Sequence, residues 1–153
     1  MFSRLSLQTI YYRFHAPYSH VPEWMGARLI DAERHGGGSL VAVTTAEEIV
    51  AHAMYVPSED GREAEVGIVV EDGWQSKGVG KLLLSELAEE AGRRGVETFT
   101  GDVLGENRRV LRLFAAVFPG TRHTMRHGVY HVRMPLRGSA EPAVLAHRVR
   151  KVA

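Results

Sequence analysis

Two carboxylates, two glycines and an asparagine are the residues best suited to chemistry in this chain. Glu63 and Glu65 stand two apart in the strand-like run Glu63-Ala64-Glu65-Val66-Gly67-Ile68-Val69-Val70. Strand side chains alternate, so both carboxylates share one face. A carboxylate so placed can take a proton from an amine, directly or through a water. Downstream, Gln75-Ser76-Lys77-Gly78-Val79-Gly80 opens into a helical pattern. Gly78 and Gly80 carry no Cβ and let the backbone approach a ligand closely. The first-turn amides of the helix that follows lack intrahelical partners and lie at the positive end of its dipole. A phosphate or pyrophosphate suits that position. The plainer alternative is a tight strand–helix turn whose glycines serve sterics alone. Lys77 precedes both glycines and no Gly-Lys-Ser/Thr follows, which departs from the P-loop. Leu84 stands where a dinucleotide fingerprint would need a third small residue.

The elements that must position these groups can be read from periodicity. Val79, Leu82, Leu83, Leu87 and Ala91 recur at helical spacing, and Arg93, Arg94 and Gly95 form a C-terminal stop. Ser6 is a plausible cap for a first helix whose apolar face is Leu7, Ile10, Tyr11 and Phe14. A second helix is expected from Pro22 to His35, with Met25, Leu29 and Ala32 inward, ended by Gly36-Gly37-Gly38. Leu40–Thr44 and Ile49–Val56 read as paired strands around the turn Thr45–Glu48. After the glycine-loop helix come a strand over Val96–Val103, a helix capped by Asn107 with the stripe Val110, Leu113, Phe114 and Val117, and a hairpin of Thr121–Arg126 with Val129–Leu136. This order predicts an α/β fold with a mixed, mostly antiparallel sheet flanked by helices. Residues 1–136 form one domain in this reading, and 137–153 a basic tail that is either a short helix or frayed.

Composition narrows the function classes. The chain has 153 residues, 44% of them hydrophobic and 24% charged, which suits one domain with a sizeable core. It has no cysteine, so disulfides, thiolate metal sites and a cysteine nucleophile are excluded. His123, His127 and His131 recur every four residues, but around Gly128 the context is strand-like, and we read them as ordinary histidines with no metal. The net charge of +1 divides into +3 over residues 137–153 and −2 over the rest, not a nucleic-acid-binding balance. No apolar run approaches membrane-spanning length and the first residues lack a signal-peptide core, so a soluble, cytoplasmic protein is expected.

Gln75, Gly78 and Gly80 match Q/R-x-x-G-x-G/A, the acyl-CoA pyrophosphate loop of the GNAT superfamily of N-acyltransferases. With the strand before the loop and Asn107 after it, the chain resembles a GNAT domain from about Leu7 to Leu136. The phrase Arg4-Leu5-Ser6-Leu7-Gln8-Thr9-Ile10-Tyr11-Tyr12-Arg13-Phe14 resembles, more narrowly, the opening of the GNAT domain in bacterial Pat-type protein-lysine acetyltransferases. The resemblance implies a central strand that splays. Backbone groups at Ile68, Val69 and Val70 would then pair with pantetheine and stabilise the thioester oxyanion. It implies that Gln75, Ser76, Lys77, Gly78, Val79, Gly80 and Lys81 hold the pyrophosphate, and that Asn107 touches the pantetheine arm. Glu65 matches the family's glutamate base, with Glu63 in reserve. Substrate contacts are expected between Phe14 and Trp24, residues that packing alone would explain equally well.

The chain departs from many members of that family in one respect. Where they carry a tyrosine seven residues after the asparagine, as acid for the leaving thiolate, this chain has Phe114, which has no proton to give. The expected function is transfer of an acetyl group from acetyl-CoA to a primary amine, on a protein lysine or a small molecule. The expected oligomeric state is monomer or homodimer. A non-catalytic acyl-CoA-binding or sensor module is the alternative, and a nucleotide-binding protein using the glycine loop is a third.

Overall fold

The computed structural model describes residues 1–20, 31–136 and 148–151. Its frame is a seven-stranded sheet: β1 (Gly38–Val43), β2 (Ile49–Pro57), β3 (Glu63–Val70), β4 (Thr98–Leu104), β5 (Arg122–Arg126), β6 (Val129–Pro135) and β7 (Arg148–Lys151). They lie in the order β5-β6-β4-β3-β2-β1-β7. Every neighbouring pair is antiparallel except β3 and β4. Among the described residues, three helices flank the sheet: α1 (Leu7–Phe14), α2 (Val79–Arg93) and α3 (Arg108–Val117). The expected mixed, mostly antiparallel α/β fold is the one observed.

The core lies between the sheet and α2. Leu83, Leu84 and Leu87 are fully sealed and pack with Ala64 and Val66 of β3. Burying one such side chain contributes about 1.5–3 kcal/mol. An aromatic chain continues the core under β4, with Tyr55 and Phe99 at 5.7 Å between ring centroids and Phe99 edge-on to Phe118 at 5.9 Å. The opposite face of β3 meets α1. There Val69 packs with Leu5 and Ile10, with Phe14 against them.

Several local expectations hold. Ser6 caps α1, accepting from the Thr9 amide at 3.2 Å. The β5–β6 hairpin turns on His127 and Gly128, both with positive φ, as a two-residue turn requires. Others differ. Leu7, expected on the apolar face of α1, is 64% exposed, and Ile10 is the buried residue of that helix. The helix expected over Pro22–His35 falls largely outside the described residues, along with Trp24, Met25 and Leu29. Its end, Asp31–His35, is a 3-10 turn in which Ala32 is buried. Arg148–Lys151 pair with β1 from Leu40 to Val43, a strand in place of the expected helix or frayed tail. Alternation over four residues is too short a pattern to reveal a strand whose partner lies a hundred residues away.

Candidate functional site

The site begins where a ladder stops. Strands β3 and β4 pair in parallel only at Glu63–Thr98, Ala64–Phe99 and Glu65–Thr100. Each stays bonded to its other neighbour much further, β3 to β2 as far as Val70 and β4 to β6 as far as Leu104. The two strands therefore part after Glu65. Backbone groups on the facing edges of Val66–Val70 and Gly101–Leu104 lose their ladder partners, and buried peptide groups need partners. The gap is a cavity of about 600 Å³ that runs between the strands. On one side it reaches Tyr12, Arg13 and Asp102, and on the other Asn107, Leu113 and Phe114.

Of the residues expected at the site, Ile68, Val69, Val70, Gln75, Asn107 and Phe114 all line this cavity. Ser76, Lys77, Gly78, Val79, Gly80 and Lys81 adjoin it through Gln75 without lining it. Gly78 is the N-cap of α2 with φ of 83° and gives the helix no side-chain cap. That left-handed backbone favours glycine. Gly80 has a different reason to be glycine. A Cβ there would lie 3.0 Å from Leu113 Cδ2, so the residue lets α2 and α3 pack closely. Lys77 holds its ammonium 5.1 Å from the Trp74 ring centroid, a cation–π contact.

Gln75 braces the mouth of the fork. Its amide donates to Val70 O at 3.1 Å and to Thr9 Oγ1 at 3.2 Å, and its side-chain oxygen accepts from Arg109. One side chain thus ties β3 to α1 and α3. Asn107 caps α3, accepting from the Val110 amide at 3.4 Å. Phe114 is buried at 3% exposure and forms an apolar wall.

The two glutamates part company. Glu63 is held by both terminal nitrogens of Arg133, one at 2.9 Å. Glu65 lies exposed on the same face and makes no hydrogen bond among the described residues. Its carboxylate lies in the field of Arg13, whose guanidinium burial holds below its ordinary range while Glu65 pulls it back up.

Periodicity did not single out several residues that the fork brings together. Arg13 of α1 covers Gly67. Asp102 of β4 bonds His131 Nδ1 of β6 at 2.6 Å, across the register that pairs them. Burial holds His15 below the usual histidine range, opposed by Asp102 and reinforced by Arg13. Arg108 and Arg112 of α3 add exposed cations at the cavity rim. The adjacent Arg108 and Arg109, with Arg112 one turn further along the helix after Asn107, were the signal available for that rim.

At one end of α1, Ser6 N–H donates to Asp72 Oδ2 at 2.9 Å, and the Ser6 and Thr9 hydroxyls donate to Oδ1 at 2.7 and 2.9 Å. Arg4 donates to both oxygens of Glu71, at 2.9 and 3.0 Å. The hydrogen bond from Arg4 holds the Glu71 carboxyl below its usual range. Burial alone would raise Asp72, but the bonds from Ser6 and Thr9 outweigh it and leave it low.

Known proteins share this fold. Residues 4–118 match the sequence model of the Acetyltransferase (GNAT) family. The crystal structure of the GNAT domain of S. lividans PAT is 27% identical, with 88% of this chain and 80% of that chain covered and a TM-score of 0.74. The structure of yncA from Salmonella typhimurium with its cofactor acetyl-CoA is 25% identical, covers 80% of this chain and 76% of that one, and gives a TM-score of 0.57. A phosphinothricin acetyltransferase from Sinorhizobium meliloti in complex with AcCoA has the same fold at 17% identity, with 90% and 84% covered and a TM-score of 0.70. No curated protein sequence matches the chain.

Proposed function

Because the chain belongs to the Acetyltransferase (GNAT) family, we propose that it transfers an acetyl group from acetyl-CoA to a primary amine, with Glu65 as the proton acceptor. The observation that carries this reading is the fork between β3 and β4, which exposes backbone groups beside a glycine loop and has Glu65, outside the cavity lining and without a hydrogen bond, at its last paired rung. Acetyl-CoA is long and polyanionic. Its pantetheine arm can pair with the open edge at Ile68–Val70, with Asn107 beside it. Its pyrophosphate can reach the amides that follow Gly78, where the α2 dipole favours negative charge. Arg108 and Arg112 extend the positive rim towards the remaining phosphate.

The amine nitrogen attacks the thioester carbonyl carbon. Charge develops on the carbonyl oxygen, and an N–H of the open edge at Val69 or Val70 donates to it, a contact worth a few kcal/mol of barrier. The amine proton passes to Glu65, directly or through a bridging water. The C–S bond then breaks, the amide forms and the thiolate leaves. Phe114 offers no proton, so the thiolate departs unassisted or takes one from water.

The test has two steps. Calorimetric titration should show saturable acetyl-CoA binding, with ATP and NAD failing to compete. Thiol release should then follow addition of an amine. Binding without turnover across a broad amine panel would instead favour an acyl-CoA sensor, and no acetyl-CoA binding would overturn both readings.

A further inference from the structure

Arg13 is buried with an opposite charge in its field, Glu65, but with no hydrogen-bond acceptor among the described residues. Its Nε is sealed from solvent and has no hydrogen-bond partner. No acceptor bonds its terminal nitrogens among the described residues, and its one ring contact is Phe14, 5.4 Å from the guanidinium carbon. Burying a cation without acceptors is costly, and an apolar side chain would join α1 to β3 at lower cost. The backbone also makes room for it. A Cβ on Gly67 would lie 2.2 Å from one terminal nitrogen and 2.6 Å from the guanidinium carbon. Gly67 therefore keeps open the space the guanidinium fills, at the level where the strands part. Arg13 lines the cavity there, on the α1 face of the sheet that also carries Glu65. The glycine loop and α2 lie on the other face, so the donor enters from the far side and Arg13 meets the acceptor.

We propose that the acceptor is a small amphoteric amine, an amino-acid-like molecule whose carboxylate docks on Arg13 while its amine is presented towards Glu65. This inference rests on the acyl-transfer reading and names its substrate class. A guanidinium fork matches a carboxylate in two parallel bonds, and a free carboxylate beyond it would leave Arg13 and Glu65 each with an opposite charge to meet. A lysine within a protein offers the amine without the anion and leaves Arg13 as it is now.

The experiment compares matched acceptors, each α-amino acid against its decarboxylated amine and its amide, with acetyl-CoA as donor and thiol release as readout. A lysine-containing peptide free of acidic residues and a dicarboxylic acyl-CoA donor complete the set. The wild-type protein should favour at least one carboxylated acceptor over its two neutralised partners by about 10- to 100-fold in kcat/KM, the range for a hydrogen bond to a charged group. Arg13→Met should collapse that ratio towards one, and Arg13→Lys should restore part of it. Gly67→Ala keeps the charge but drives the guanidinium from its place, so it should also collapse the ratio and covers the case of an unstable Arg13→Met. A wild-type ratio near one, a ratio that survives both variants, preference for the neutral lysine peptide, or an Arg13-dependent preference for the dicarboxylic donor would each overturn the inference. Turnover of neutral amines with no carboxylated acceptor turned over would overturn it too, leaving the acyl-transfer reading intact. Failure of acetyl-CoA itself to bind would overturn that reading, and this inference would fall with it.

Discussion

The two faces of the forked sheet are built on opposite principles. Towards α2 and α3 the fork is walled by Val66, Leu113 and Phe114 and closed by packing, with Gly80 letting the helices touch. Towards α1 it is set by charge, through Arg13 over Gly67, Glu65 with no hydrogen bond, Glu63 held by Arg133 and Asp102 bonded to His131. A packed wall positions a long ligand with few directional contacts. A charged wall selects by the sign and spacing of the groups offered to it. On the reading proposed above, the donor lies along the apolar side and the acceptor meets the charged side.

Substitutions on the two sides should therefore fail differently. The largest effect is expected at Glu65. Glu65→Gln should lower turnover by roughly 10²–10⁴-fold, the range for loss of a general base, while acetyl-CoA affinity holds. Steady-state kinetics beside calorimetry separate the two quantities, and near-normal turnover would move the role to water, since Glu63 is occupied by Arg133.

On the packed side, Gly80→Val should cost stability first. Its side chain meets Leu113, and overpacking of this kind costs about 1–3 kcal/mol. Urea unfolding should show the loss, with any fall in acetyl-CoA affinity following from it. Weakened binding at full stability would instead give Gly80 the ligand-approach role that its sequence context suggests.

A smaller effect tests how the charged face is anchored. Glu71 and Asp72 both lie below their usual ranges in the folded protein. Carboxyls depressed by folding stabilise it above their unfolded pKa of about 4, and that contribution is lost as pH falls through their folded values. Stability should thus decline below about pH 4. Asp72→Asn should cost about 1 kcal/mol at neutral pH and leave a shallower acid decline. Thermal midpoints at pH 7 and pH 3 provide the comparison, and an unchanged decline would release Asp72 from that role.

Smallest of all is Asn107→Ala. Its bond to Val110 N is long, at 3.4 Å, so the lost cap should cost only about 0.5–1 kcal/mol. Because Asn107 also lines the cavity, acetyl-CoA affinity should fall as well. Normal affinity would leave it a cap alone.

The amino-acid order by itself determined what depends on neighbours along the chain. The helical spacing of Val79 to Ala91, the Ser6 and Asn107 caps, the His127-Gly128 turn and the glycine pair at the start of α2 are all local, and each lies where its pattern indicated. The family motif carried the same information one step further, to Gln75 and Asn107 at a shared cavity. Only the tertiary structure decided the rest. It made Gly80 a packing residue, gave Glu63 to Arg133 while leaving Glu65 without a hydrogen bond, brought Asp102 against His131, and set Arg13 over Gly67. It also brought Arg148–Lys151 to the sheet edge beside β1. These pairings join residues 29 to more than 100 positions apart, and their partners are chosen by strand register and helix docking. Register is a property of two segments at once, and no single stretch of sequence contains it.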